Sequence, residues 1–334
     1  MRNRSSKSPE RVAVVLPNRV GDAILSLPLI LCLRKLAADC GPAGCRVEAV
    51  TCSPLVEIFG AVGVTDVTQM GLGAKLRSWL APPDKAFFLI ATSKNFGFHA
   101  RSTYGLRQRN KLLGRYTHDL RCLKGEPLPT DLDRYLIMEC RLPRYSAEQF
   151  GIALELGYTV EQVCSSFSFS RKSLPVDRSR LAVEQTVAAP YLVCCMEAAY
   201  GRGRRNDQRR WVAEHHLSVA KKLRERHGCR IAFIGLAADP PIPEQDGFLD
   251  LRGRLSLWQL FQLMAGAAGY VGNDTGPLHL ANLAGIPSVG IYSSEDHHAP
   301  LFGESNTVVM RPAGPDDVYP AAERMLLAAG AAVR

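Results

Sequence analysis

The feature that most restricts the fold of this chain is a repeated succession of short apolar runs and helix-period segments joined by brief connections. Val12–Leu16 (VAVVL) is rich in β-branched residues and holds no polar one, as a strand covered on both faces does. A turn at Pro17-Asn18-Arg19-Val20-Gly21-Asp22 leads into Ala23–Leu36, whose apolar residues recur at helical spacing and stop before Gly41-Pro42. Arg46–Thr51 reads as a second strand, Leu55–Phe59 as a short helix and Lys85–Ala91 (KAFFLIA) as a third strand. The pattern blurs through a basic middle and then restarts. Strands are predicted at Tyr191–Met196 (YLVCCM), Arg230–Gly235 (RIAFIG), Gly269–Gly272 and Ser288–Tyr292, with helices at Trp211–His227, Ser256–Ala265 and Leu278–Ala284 between them. Such alternation predicts an α/β fold of parallel sheets with helices on both faces.

The length, 334 residues, suits two domains. With 46% hydrophobic and 22% charged residues, each can bury a core. The expected division is a basic tail over 1–10, a Rossmann-like domain over 11–175, a second over 185–315 and a terminal helix over 316–334. The junction near 170–185 is rich in Ser and Arg and contains Pro175. Ten cysteines are scattered without a CxxC pair, several of them in apolar runs, and read as reduced packing residues rather than a disulfide framework or a zinc site. The first apolar run, Val12–Leu16, is too short for the core of a signal peptide, and no run is long enough to span a bilayer. A cytoplasmic protein is expected.

Lys and Arg number 41 against 32 Asp and Glu, a formal charge of +9 that favours an anionic partner. The cations gather in a first cluster from Lys94 through Arg101, Arg107, Arg109, Lys111 and Arg115 to Arg121, and in a second at Arg202, Arg204, Arg205, Arg209 and Arg210. These stretches lack aromatic interleaving and match no nucleic-acid module, which argues against nucleic acid. No GxGxxG follows the first strand, which argues against a dinucleotide oxidoreductase.

Three segments carry chemistry, each just after a predicted strand. In Gly272-Asn273-Asp274-Thr275-Gly276-Pro277-Leu278-His279 a strand gives way to a helix whose first turn suits Pro277, with Asp274 or Thr275 as N-cap. The amides and dipole at such a helix end favour a phosphate, and Gly276 lets it approach closely. His279 falls one turn past Thr275, on the same mouth. In the second segment, Arg19-Val20-Gly21-Asp22, Gly21 is expected to form a tight turn. Asp22 at the helix start can cap the helix, accept a proton, or both. The third runs from Glu197 to Trp211, through Tyr200-Gly201 to Gln208-Arg209-Arg210, and offers guanidinium forks to a pyrophosphate.

Together these segments resemble glycosyltransferase family 9, the ADP-heptose:lipopolysaccharide heptosyltransferases. PNRVGDAILSLPLI resembles the family's N-terminal start, AAYGRGRRNDQRRW its second-domain loop and FIGLAAD its Gly-x-x-x-Asp segment. GNDTGPLHLANLAGIP resembles its Asp-(Ser/Thr)-Gly-x-x-His-x-Ala stretch followed by Gly-x-Pro. The resemblance implies a GT-B fold, two Rossmann-like domains around a cleft, with the acceptor on the first and the nucleotide sugar on the second. It also implies inverting transfer with no obligatory metal or cofactor, the nucleotide sugar being a co-substrate. By position, Asp22 matches the general base. Asp274, Thr275, Gly276, Pro277 and His279 match the donor motif, and Arg209, Tyr200 and Gly201 match the phosphate-binding loop. Asp239 is the candidate for the ribose, and Arg19, Lys94, Arg107 and Arg109 are candidates for an anionic, lipid-linked acceptor or the inner-membrane surface. The chain departs from the pattern at Val212, where the family has proline after the loop tryptophan, and at Ser293–His298, which replaces a Gly-Pro-Thr-type turn. A different nucleotide sugar serving another cell-surface glycan, a GT-B nucleotide-sugar epimerase and a non-catalytic donor-binding paralogue are the competing readings.

Overall fold

In a computed structural model, the described residues are 9–39, 45–51, 54–89, 97–105, 116–119, 126–169, 190–197, 210–235, 241–293, 300–301 and 306–332. The chain divides into two compact units, residues 1–170 and 171–334.

The first unit is built on β1 (Arg11–Val15), β2 (Arg46–Thr51), β3 (Val67–Gln69), β4 (Lys85–Phe88), β5 (Ser102–Gly105) and β6 (His118–Asp119). They pair in the order β3-β2-β1-β4-β5-β6, all in parallel. β1 lies centrally and its Val12–Val15 are buried, as the polar-free run requires. The single helix expected over Ala23–Leu36 is two, α1 (Val20–Leu25) and α2 (Leu27–Asp39). The break follows from Pro28, which has no N–H to continue α1 and instead occupies the first turn of α2. Ser26 at the joint donates its hydroxyl to the Asp22 carbonyl at 2.9 Å. Next come α3 (Val56–Ala61) and α4 (Leu72–Leu80). After the sheet, α5 (Thr130–Arg134) runs on into a π-helical turn at Tyr135–Glu139 before α6 (Arg144–Glu148), α7 (Gly151–Glu155) and α8 (Val160–Ser166).

The second unit repeats the plan with β7 (Tyr191–Cys195), α9 (Ala213–His227), β8 (Arg230–Ile234), β9 (Phe248–Asp250), α10 (Leu257–Ala265), β10 (Gly269–Asn273), α11 (Gly276–Leu283), β11 (Ser288–Tyr292), β12 (Asn306–Met310) and α12 (Pro315–Ala332). Its strands pair in parallel in the order β12-β11-β10-β7-β8-β9, the same winding as the first unit. β7, β10 and β11 are buried along their whole length. α9 stops at Gly228, whose φ of 67° closes the helix in the left-handed region. α10 starts with a capping box between Ser256 and Gln259. The described cysteines are free, and Cys194 and Cys195 fill the interior of β7.

In both units the winding reverses beside the first strand of the sheet, between β1 and β4 and between β7 and β10. Open α/β sheets bind ligands at such reversals, outside the carboxyl ends of the strands.

Candidate functional site

In the second unit the carboxyl end of β10 meets the N-terminus of α11 beside that reversal. Thr275 is the N-cap, in extended backbone, and Gly276-Pro277 open the helix. The Thr275 hydroxyl does not cap α11; it donates back to the Asn273 carbonyl at 3.3 Å. The helix end is therefore without a side-chain cap, which suits an anionic ligand. His279, in the next turn, is 4% exposed, and its Nε2 lies 3.8 Å from Oδ1 of Asp274. That is beyond hydrogen-bond reach but close enough for Coulombic attraction when the ring is protonated. The structure thus brings Asp274, Thr275, Gly276, Pro277 and His279 together. Gly272 is required by close approach: a Cβ there would lie 2.5 Å from the Tyr270 hydroxyl and 2.7 Å from the Cys195 carbonyl.

The residue that organises this corner is Asn273, to which the motif reading assigned no role. It is fully buried at the end of β10. Its Nδ2 donates to the carbonyls of Met196 (2.9 Å) and Glu197 (3.2 Å), where the chain leaves β7. Its Oδ1 accepts the backbone N–H of Trp211 at 3.2 Å, where the described chain resumes before α9. One amide therefore holds both ends of the arginine-rich connection beside the donor motif. An amide at the end of an otherwise apolar strand was the available sequence signal. Trp211 is fixed in turn by its indole N–H, which donates to the Pro312 carbonyl at 3.2 Å. Its ring meets that of His216 edge-on at 4.8 Å. Burial, only partly opposed by neighbouring Asn273, holds the His216 imidazole down at about 3, with His215 and Arg210 pushing the same way.

A cavity of about 190 Å³ opens between this tryptophan and the ends of β11 and β12, lined by Arg210, Trp211, Tyr292 and Arg311 among others. Arg311 takes a left-handed backbone (φ 46°) and donates its N–H to the Tyr292 carbonyl at 2.7 Å. Burial raises the Tyr292 phenol far above its ordinary range, and the Asp274 charge beside it adds to the shift. The tyrosine is therefore a neutral neighbour of the donor motif.

In the first unit Asp22 sits in the first turn of α1, just past the carboxyl end of β1, and is half-buried. Gly21 does not form the expected turn: it is a buried residue of α1 itself, because the helix begins at Val20. Arg19 is the extended, exposed N-cap residue, and no side chain caps α1. A residue that no motif announced joins them. α6 is stapled to α1 by the buried Ser146 hydroxyl, which donates to the Leu25 carbonyl at 2.7 Å across 121 residues of sequence. This seats Tyr145 near Asp22. Burial raises its phenol far above the usual range, the Asp22 charge adds to that, and Arg19 opposes it. The N-terminus of α1 favours Asp22 as the carboxylate, the form that a proton acceptor needs. Lys94, Arg107, Arg109, Tyr200, Gly201, Arg209 and Asp239 lie outside the described residues. Among the described residues no group of His, Cys, Asp and Glu is arranged to hold a metal ion.

Two doubly wound units in tandem, each with its candidate residues at the carboxyl ends of the central strands, define a GT-B protein. The likeness to solved structures agrees. An Escherichia coli ADP-heptose lipopolysaccharide heptosyltransferase II superposes with a TM-score of 0.64 at 20% identity, over 95% of this chain and 99% of that one. A family 9 glycosyltransferase from Veillonella parvula superposes with a TM-score of 0.63 at 16% identity, over 98% and 100%. In sequence, lipopolysaccharide heptosyltransferase 2 of Salmonella typhimurium is 24% identical over 329 residues, 89% of this chain and 87% of the relative. The model of glycosyltransferase family 9 (heptosyltransferase) matches residues 148–323, and the chain belongs to that family. It is a glycosyltransferase.

Proposed function

We propose that the chain transfers heptose, or a closely related sugar, from ADP-heptose or a similar nucleotide sugar to a lipopolysaccharide core-type acceptor, with inversion at the anomeric carbon. The observation that carries this reading is the open N-terminus of α11 with Asp274 and His279 beside it, in a family 9 chain similar along most of its length to lipopolysaccharide heptosyltransferases. The second unit is read as the donor unit, where the α11 amides and Arg209 meet the diphosphate and Asp239 the ribose. The first unit is read as the acceptor unit. There Asp22 takes the proton of the acceptor hydroxyl as its oxygen bonds to the anomeric carbon, while the bond to the diphosphate breaks on the opposite face. Arg19, Lys94, Arg107 and Arg109 meet acceptor anions, and the work is done at the cytoplasmic face of the inner membrane. No described helix is long and apolar enough to cross a membrane.

The test is turnover of ADP-heptose with a lipopolysaccharide core-type acceptor. Asp22→Asn should lower kcat by about a hundred- to ten-thousandfold and leave donor affinity near wild type. His279→Ala should chiefly weaken donor binding. Full turnover by Asp22→Asn would remove that carboxylate from the base role, and an epimerised donor in the absence of acceptor would replace transfer with epimerisation.

A further inference from the structure

α4 (Leu72–Leu80) is a helix turned inside out. It rests on the first unit through Ala74 and Ser78, both buried. Ser78 holds it there: its hydroxyl donates to the Lys75 carbonyl at 2.7 Å and accepts the backbone N–H of His99 at 3.0 Å. The large apolar residues face the other way. Leu72 is 85%, Leu76 53%, Trp79 65% and Leu80 67% exposed, four of the nine exposed large hydrophobic residues among those described. At 3.6 residues per turn they share an arc of about 100°. Lys75 flanks that arc on one side and the exposed Arg77 on the other.

Along the chain the stripe is bordered by charge of one sign. Residues 70–83 contain no Asp or Glu. Arg11 places its guanidinium at the end of α4, donating to the Ala81 carbonyl at 3.1 Å. The nearest acid in sequence, Asp84, is engaged by the Arg11 backbone N–H at 2.9 Å and by the Arg101 guanidinium at 3.1 Å. An apolar stripe bordered by cations is the pattern of a helix that lies in a bilayer interface, its side chains among acyl chains and its Lys and Arg reaching the headgroups. A second copy of the chain fits it poorly, because a two-fold contact would set Lys75 and Arg77 against like charges.

We propose that α4 seats the enzyme on an anionic lipid surface, with Leu72, Leu76, Trp79 and Leu80 inserted and Lys75 and Arg77 on the headgroups. The reading of a lipid-linked acceptor supplies the purpose of this contact, but the test uses vesicles free of glycan and nucleotide, so the two readings can fail separately. The full chain is sedimented with vesicles of phosphatidylcholine with and without phosphatidylglycerol. Wild type should partition to the anionic vesicles, with a blue shift of Trp79 emission that disappears in Trp79→Ser. Leu76→Gln combined with Trp79→Ser should lower partition about tenfold or more. Lys75→Gln and Arg77→Gln should each lower it about fivefold and weaken its salt dependence. All four side chains lie on the surface, and circular dichroism verifies that the variants are folded. The proposal is overturned if wild type ignores anionic vesicles, or if Leu76→Gln/Trp79→Ser binds them as wild type does. It is also overturned if the wild type is a dimer that these substitutions dissolve while vesicle binding is absent, which would assign the face to a second copy.

Discussion

Asn273 shows how one side chain can carry the geometry of a site without touching its ligand. Its amide makes three hydrogen bonds, to two carbonyls and one N–H that lie 62 to 77 residues away in sequence. Truncation to alanine would leave those backbone groups unsatisfied in a buried place. Asn273→Ala should therefore destabilise the second unit by about 3 kcal/mol, read from denaturant unfolding. Asn273→Asp keeps the acceptor for Trp211 but sets a carboxylate against two carbonyl oxygens, so it should be no milder than alanine. Either variant should also raise the KM for the donor more than it lowers kcat. At this scale Asp274, Thr275 and His279 were legible, because helix geometry alone places them one turn apart. Tyr145 was not, since only the packing of α6 on α1 brings it to Asp22.

At the scale of elements, the fully buried strands were readable from composition, and β1, β7 and β11 fall within a residue of their expected limits. The short strands β3, β5, β6 and β9 were not, because two to four half-exposed residues have neither an apolar run nor an alternation to read. α4 lies between the elements that the apolar pattern marked, and its large apolar residues face solvent, so they forgo much of the roughly 1.5–3 kcal/mol that full burial of such a side chain supplies. α9 supplies a prediction of its own. His216 on that helix is held neutral, its folded value of about 3 lying well below the ordinary 6.5. As pH falls, the unfolded chain takes up this proton first. The stability tied to neutral His216 is thus complete above about pH 6.5 and lost progressively toward pH 3, by a few kcal/mol. Comparison with His216→Leu, which cannot titrate, isolates the effect: the unfolding free energy of wild type relative to the leucine variant should fall by most of that amount between pH 7 and pH 4. A constant difference would show that His216 is not buried neutral.

For the whole molecule, two units of identical winding hold separate cores, and ligands should act on them separately. A donor present at a hundred times its Kd stabilises the form that binds it by about 2.7 kcal/mol, or several degrees of Tm. ADP-sugars should therefore move the melting of the unit holding α11, and GDP- and UDP-sugars should move it less. A scan against all three, with the Asp22→Asn protein as partner, identifies the nucleotide without an acceptor. Equal shifts by all three would deny the nucleotide preference assigned to the site.

The sequence by itself determined the double α/β plan, and its motifs, through their resemblance to family 9, the transferase class. The plan rests on local rules: the period of apolar residues sets strand and helix, and a short segment such as Asp274–His279 carries its own helix start. Only the tertiary structure decided which distant groups complete each corner. It set the Asn273 amide between two ends of chain, Tyr145 beside Asp22, and the apolar stripe of α4 on the outside. These depend on burial and on contacts between residues far apart in the chain, which no local pattern records.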